Sequence, residues 1–114
     1  MDLVRAWTRY FDDGDGRFTA AGLQQEIDRE GLTQARALPG DRFGAGDDVL
    51  VVTFDGRSEI YLLPNFITSV FALSSFFEAP KGLPRDANVR RLVRPAVGRR
   101  SGSGFTIVTK GVIE

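Results

Sequence analysis

Two apolar runs separated by an Asp-Gly turn constrain this chain more than anything else in it. Val49-Leu50-Val51-Val52-Thr53-Phe54 meets Ser58-Glu59-Ile60-Tyr61-Leu62-Leu63 across Asp55-Gly56. Asp-Gly between β-branched and aromatic runs is the strongest short-range signal for a hairpin. With Asp55 and Gly56 as the two loop residues, Val51 opposes Ile60 and Val49 opposes Leu62 on one face. Leu50, Val52 and Tyr61 line the other, with Arg57 and Glu59 toward the turn. Both faces are largely apolar, so this pair is expected centrally in a sheet, covered on both sides. Glu59 is the one acid among apolar strand neighbours, a candidate for burial that is expected instead to pair with Arg57 or an outer arginine.

Helical spacing marks three further segments. In residues 2–12, Leu3, Val4, Trp7, Tyr10 and Phe11 recur on one side while Arg5 and Arg9 face away, with Asp2 as N-cap. Residues 20–30 form a second helix with Thr19 as N-cap, Gly31 just past its end, and Leu23 and Ile27 as its apolar pair. The run 66–77 reads as the core helix, capped by Asn65. Phe66, Val70, Leu73 and Phe77 lie on one side of it, and Ile67 and Phe71 on a flank. Its opposite stripe, Thr68, Ala72 and Ser75, is small and uncharged where a solvent face would carry Lys or Glu. The stripe therefore packs on another element or meets a second subunit. Short strands are expected at 34–38, 89–97 and 105–110, with loops at 39–48, 78–88 and 98–104. Pro95 lacks an amide hydrogen, which puts its strand at an edge or a bulge.

A chain of 114 residues with 42% hydrophobic content fits one folded domain over residues 1–114. It contains neither Cys nor His. Disulfides, thiolate nucleophiles and Cys-ligated zinc are thereby excluded, as are every Ser-His-Asp triad and the usual transition-metal ligand. No cofactor is implied. The acidic start of the chain does not read as a signal peptide, and the longest apolar stretch, the twelve residues 66–77, falls short of the ~20 that a membrane span needs. A cytoplasmic location and no membrane partner are the expectation.

The net charge of zero conceals a separation. Residues 1–80 carry seven Arg against thirteen Asp or Glu, a net of −6, whereas residues 81–114 carry eight Lys or Arg against two acids, a net of +6. If the two segments reach different faces, the molecule is dipolar, able to attract an anionic partner or to meet copies of itself. Arg90, Arg91 and Arg94 lie on an expected strand whose alternation gives no one-sided basic stripe. Arg99 and Arg100, among glycines in the expected hairpin loop, are the better candidates to contact phosphate. Phosphate-loop spacing is absent, and Phe105 is the only aromatic interleaved with these arginines.

Asp13-Gly14-Asp15-Gly16 suggests an EF-hand, but aligning Gly16 with the loop glycine puts Phe11 and Gly22 where Asp and a bidentate Glu are required. Turn chemistry explains it better, with Arg9 pairing with Asp13 one helical turn on. Asp12, Asp13, Asp15, Asp47, Asp48, Glu59 and Tyr61 are the side chains capable of acid–base work, and nothing in their spacing marks a pocket, so no catalytic residue is assigned.

The pattern predicts an α+β fold: an antiparallel sheet of four to five strands with two to three helices packed mainly on one face. A small, partly open β-barrel capped by helices is the alternative. The expected function is a non-catalytic protein-interaction or regulatory module, self-associating through Thr68, Ala72 and Ser75. Nucleic-acid or phosphate binding through Arg90, Arg91, Arg94, Arg99 and Arg100 is the second possibility.

Overall fold

The computed structural model describes residues 2–13, 19–65, 69–102 and 104–114. Helix α1 spans Asp2–Asp13 and α2 spans Ala20–Arg29. Five strands, β1 (Ala35–Pro39), β2 (Val49–Phe54), β3 (Glu59–Pro64), β6 (Ala96–Ser101) and β7 (Gly104–Thr109), form an antiparallel sheet in the order β1-β2-β3-β6-β7. A smaller sheet, ordered β4-β8-β5, joins β4 (Phe77–Glu78), β8 (Gly111–Ile113) and β5 (Leu92–Arg94). This is an α+β fold. The large sheet does not close into a barrel, because its end strands β1 and β7 do not pair with each other.

Each helix follows its apolar spacing. Leu3, Ala6, Trp7 and Tyr10 of α1 are buried. The Trp7 indole N–H donates to the Pro64 carbonyl at 2.7 Å, and its ring stacks on Phe11 with centroids 4.9 Å apart. The Tyr10 hydroxyl donates to the Asn65 carbonyl at 3.0 Å, which fixes α1 over the end of β3. At the start of α2, Thr19 Oγ1 accepts the Gly22 amide at 3.1 Å, the expected cap, and Gly31 takes φ 78° past its end. Leu23, Ile27 and Glu26 are buried.

Glu26 tolerates burial because Arg9 reaches it from α1. Arg9 Nε donates to Glu26 Oε2 at 2.9 Å and Nη2 to the Glu26 carbonyl at 3.3 Å, while Nη1 pairs with Glu30. These two carboxylates hold the Arg9 guanidinium pKa above its ordinary value. Arg9 therefore does not face away as expected; it joins the helices. The side chain of Asp13, its expected partner, lies outside the described residues.

The central hairpin is in place, with a different turn. β2 lies between β1 and β3, and Val49, Leu50, Val51 and Val52 are all buried, as both-sided coverage requires. Full burial of one such side chain contributes about 1.5–3 kcal/mol before entropy. Val51, however, faces Leu62 rather than Ile60, and Val49 faces Pro64, leaving a four-residue loop at 55–58. The two-residue type I′ turn needs positive φ at both central positions. Gly56 has φ 77°, but among the described residues no non-glycine has positive φ, so Asp55 does not supply the second. A two-residue shift preserves parity, so each side chain keeps its expected face.

The expected helix at 66–77 does not form in its described part. Residues 71–73 make one 3₁₀ turn, and Phe77 begins β4, which pairs in parallel with β8. Phe, Val and Ser are weak helix formers, and no charged pair supports a helix here. The backbone finds partners elsewhere: the Val70 and Phe71 amides donate to the Ala87 and Arg85 carbonyls, each at 2.9 Å, and Phe76 accepts from the Gly111 amide. Leu73 and Phe77 are buried as expected, but Phe71 is 55% exposed. Gly111 is required at the junction, because an added Cβ would stand 2.5 Å from the Phe77 ring and 2.6 Å from the Ala96 nitrogen.

The expected strand 89–97 divides at Pro95, with β5 in the small sheet and β6 in the large one. No helix among the described residues is long and apolar enough to cross a membrane.

Candidate interaction surface

The two edges of the large sheet are finished differently, and the difference lies in which side chains reach them. β1 is a covered edge. Its outward backbone groups meet the side-chain amide of Gln24, whose Nε2 donates to the Ala35 carbonyl at 3.1 Å and whose Oε1 accepts the Ala37 amide at 2.8 Å. One side chain thus supplies a donor and an acceptor as a neighbouring strand would. Gln24 reaches β1 because α2 packs beside that strand, and its Nε2 is oriented by Asp28 Oδ1 at 3.0 Å.

β7 is the opposite edge, and among the described residues nothing pairs with its outer side. The direction of its backbone groups follows from the register. The Arg100 amide donates to the Ser58 carbonyl at 3.1 Å, so Arg100 points toward β3 and Arg99, one residue earlier, toward β7. Arg99 faces Thr106. Thr106 therefore bonds inward, and Phe105 and Ile107 turn their N–H and C=O groups outward. No residue of β7 is charged and none is Pro. A bulge opposite Val97 and Gly98 ends the regular stretch, leaving Val108 58% exposed.

The arginines singled out from sequence do not gather at one point. Arg99 and Arg100 lie on β6 rather than in a loop, because the strand continues through Ser101. Alternation sends them to opposite faces of the sheet. Arg99 sits in register with Glu59 on β3, and the Arg100 guanidinium lies 5.7 Å from the Phe43 ring centroid. Arg90 and Arg91 are held at the other end of the chain's last strands, where both amides donate to the Glu114 carbonyl at 2.9 and 3.0 Å. Arg91 also pairs with the Glu114 carboxylate at 3.5 Å, and Arg94 ends β5. Among the described residues Arg85, Arg90, Arg94, Arg99 and Arg100 have no carboxylate within ion-pair distance, whereas Arg5, Arg9 and Arg29 are engaged by Glu26 and Glu30. Across the set of proteins compared, no family model, curated protein or solved structure matches this chain.

The self-association stripe loses its helical basis. Ala72 and Ser75 are exposed on and after the 3₁₀ turn, and Thr68 lies outside the described residues. Phe71 is covered on one side by Arg85, whose guanidinium sits 4.3 Å from the ring centroid.

The acids do not assemble either. Asp48 precedes β2 and Glu59 opens β3, which places them at opposite ends of the hairpin. Glu59 is exposed, and Tyr61 meets Phe54 edge to face at 5.5 Å. The backbones of Asp47 and Asp48 serve structure, accepting Asn65 Nδ2 and the Asn65 amide, each at 2.9 Å. Of the acidic turn, Asp12 and Asp13 end α1, and residues 14–16 lie outside the described residues. Among those described, no group of three carboxylates could hold a metal ion. An open pocket of about 220 Å³ is lined by Gly31–Gln34, Phe54 and Arg57. It contains no carboxylate and is smaller than the ~300 Å³ of ordinary ligand sites.

Sequence reasoning did not find Gln24 or Thr106. β7 itself answers to the strand expected at 105–110, where Phe105-Thr106-Ile107-Val108-Thr109 is an uncharged run of β-formers. Nothing local in the sequence distinguishes Gln24 from Gln25.

Proposed function

We propose that this protein is a non-catalytic interaction module of the cytoplasm that associates with copies of itself. One observation carries the reading: the sheet closes one edge with Gln24 and leaves the other, an uncharged strand, without a partner among the described residues. Unpaired edges invite strand addition, and proteins that do not use them block them with charge, Pro or a covering element. β7 takes over here the role first given to Thr68, Ala72 and Ser75. Static light scattering from dilute solution to about 1 mM tests the reading. The expected mass rises toward twice 12.5 kDa; a constant monomer mass refutes it.

A second reading draws on the arginines without carboxylate partners, which suit phosphate or nucleic acid. Against it stand the opposite faces taken by Arg99 and Arg100. It requires a monomer that binds a single-stranded oligonucleotide, loses affinity steeply with salt, and weakens further in Arg99→Ala with Arg100→Ala.

A further inference from the structure

Resting on that self-associating reading, we infer that two copies of the chain join β7 to β7 in antiparallel register about a two-fold axis at Thr106, making one ten-stranded sheet.

The register follows from which groups point outward. Phe105 and Ile107 present free N–H and C=O groups, and Thr106 between them does not. In an antiparallel pair, outward groups must face outward groups. Centring the axis on Thr106 sets Phe105 opposite Ile107 of the second copy and Ile107 opposite its Phe105. Each pair exchanges two hydrogen bonds, four in all. Thr106 then faces Thr106 at a non-hydrogen-bonded position, where side chains approach closest. Aromatic with β-branched, and Thr with Thr, are both favourable cross-strand pairs. An axis centred on Phe105 or Ile107 would also face like residues, but would oppose two large side chains at the axis and bring Gly104 or the bulged Val108 into the ladder.

Charge permits this pairing. β7 carries none, and the nearest like charges are the two Arg99 side chains. They would stand three strand spacings apart, roughly 14 Å, beyond the ~8 Å screening length at physiological salt. Both Thr106 side chains are exposed in the free molecule, so nothing must unpack before association. The bulge at Val108 limits the contact to a short segment. The interface is therefore small and the dimer weak and reversible.

The test uses a pair of opposite charges at one position. Thr106→Lys and Thr106→Glu each place like charges face to face across the axis and leave the monomer's packing alone. Each variant should be monomeric at a concentration where the natural chain is dimeric, and an equimolar mixture of the two should return to twice the monomer mass. Circular dichroism and thermal melting of each variant verify the fold. Variants that remain dimeric alone, or a mixture that stays monomeric, overturn the Thr106 axis while leaving self-association standing. A natural chain that is monomeric at all concentrations removes both.

Discussion

Replacing Gln24 by Ala removes the side chain that bonds the β1 edge, and the cost follows from the bonds it makes. Two of them hold strand backbone: Ala35 C=O at 3.1 Å and Ala37 N–H at 2.8 Å, both half-buried. The third, to Asp28, is exposed and contributes little. A typical hydrogen bond contributes about 0.5–1.5 kcal/mol net, so the loss of two amounts to about 1–3 kcal/mol. Ala gains back a few tenths as the better helix former. A chain of this length should melt about 4–10 °C lower. Trp7 is the only tryptophan and is buried against Pro64, so its fluorescence in a urea titration reports the transition.

Gln24→Glu separates the hydrogen-bonding argument from a steric one. Glu has the same shape and keeps an acceptor for the Ala37 amide. It replaces the donor with a second acceptor about 3 Å from the Ala35 carbonyl and the Asp28 carboxylate. Near neutral pH the order of stability should be Gln above Ala above Glu, with Glu recovering as the carboxyl protonates in acid. Gln24→Ala also opens a second edge, and light scattering should then detect species larger than a dimer. A Glu variant as stable as the natural chain would refute the edge-capping role.

Two further outcomes are expected. Gly111→Ala forces a Cβ against the Phe77 ring and the Ala96 backbone nitrogen, which cannot yield as a side chain does, and should lower stability by about 1–3 kcal/mol in thermal melts; an unchanged midpoint refutes that packing. Burial raises the pKa of the Tyr10 hydroxyl above its ordinary value, so above pH ~10 the unfolded chain loses this proton before the folded one does. Its contribution is fully present below that pH and is lost as pH rises. The loss should reach about 1.4 kcal/mol per pH unit, and Tyr10→Phe should flatten that decline.

What could be read in advance was whatever depends on a run of neighbours. The α1 stripe, the Thr19 cap and the both-sided burial of β2 follow from local spacing and capping chemistry. Residues 66–77 show the converse. Their spacing fits a helix, but the amides of Val70 and Phe71 bond to carbonyls at 85–87, and Phe77 pairs with a strand near the C-terminus. Such bonds are decided by distant sequence, which periodicity cannot see. Arg9 was misplaced for the same reason: its spacing puts it off the apolar stripe, and only the packing of α2 brings Glu26 within reach. The candidate surface was legible in composition and hidden in position. An uncharged strand can be counted, but an open edge exists only once strand order is known.

Edge finishing also decides what kind of assembly is available. A sheet with two open edges extends indefinitely by head-to-tail strand addition, and closure requires that one edge be withheld. Gln24 withholds β1, so strand addition is left to β7, and a strand that meets its own copy antiparallel closes after a single contact. Individual charges act in the same direction. Glu26 and Glu30 are occupied by Arg5, Arg9 and Arg29 within the helical pair, which removes these two carboxylates from intermolecular pairing. Arg99 and Arg100 flank the open strand on opposite faces, where stacking of further sheets would bring like charges together. On the self-associating reading, the zero net charge favours association, and these arginines would confine it to the line of the edge.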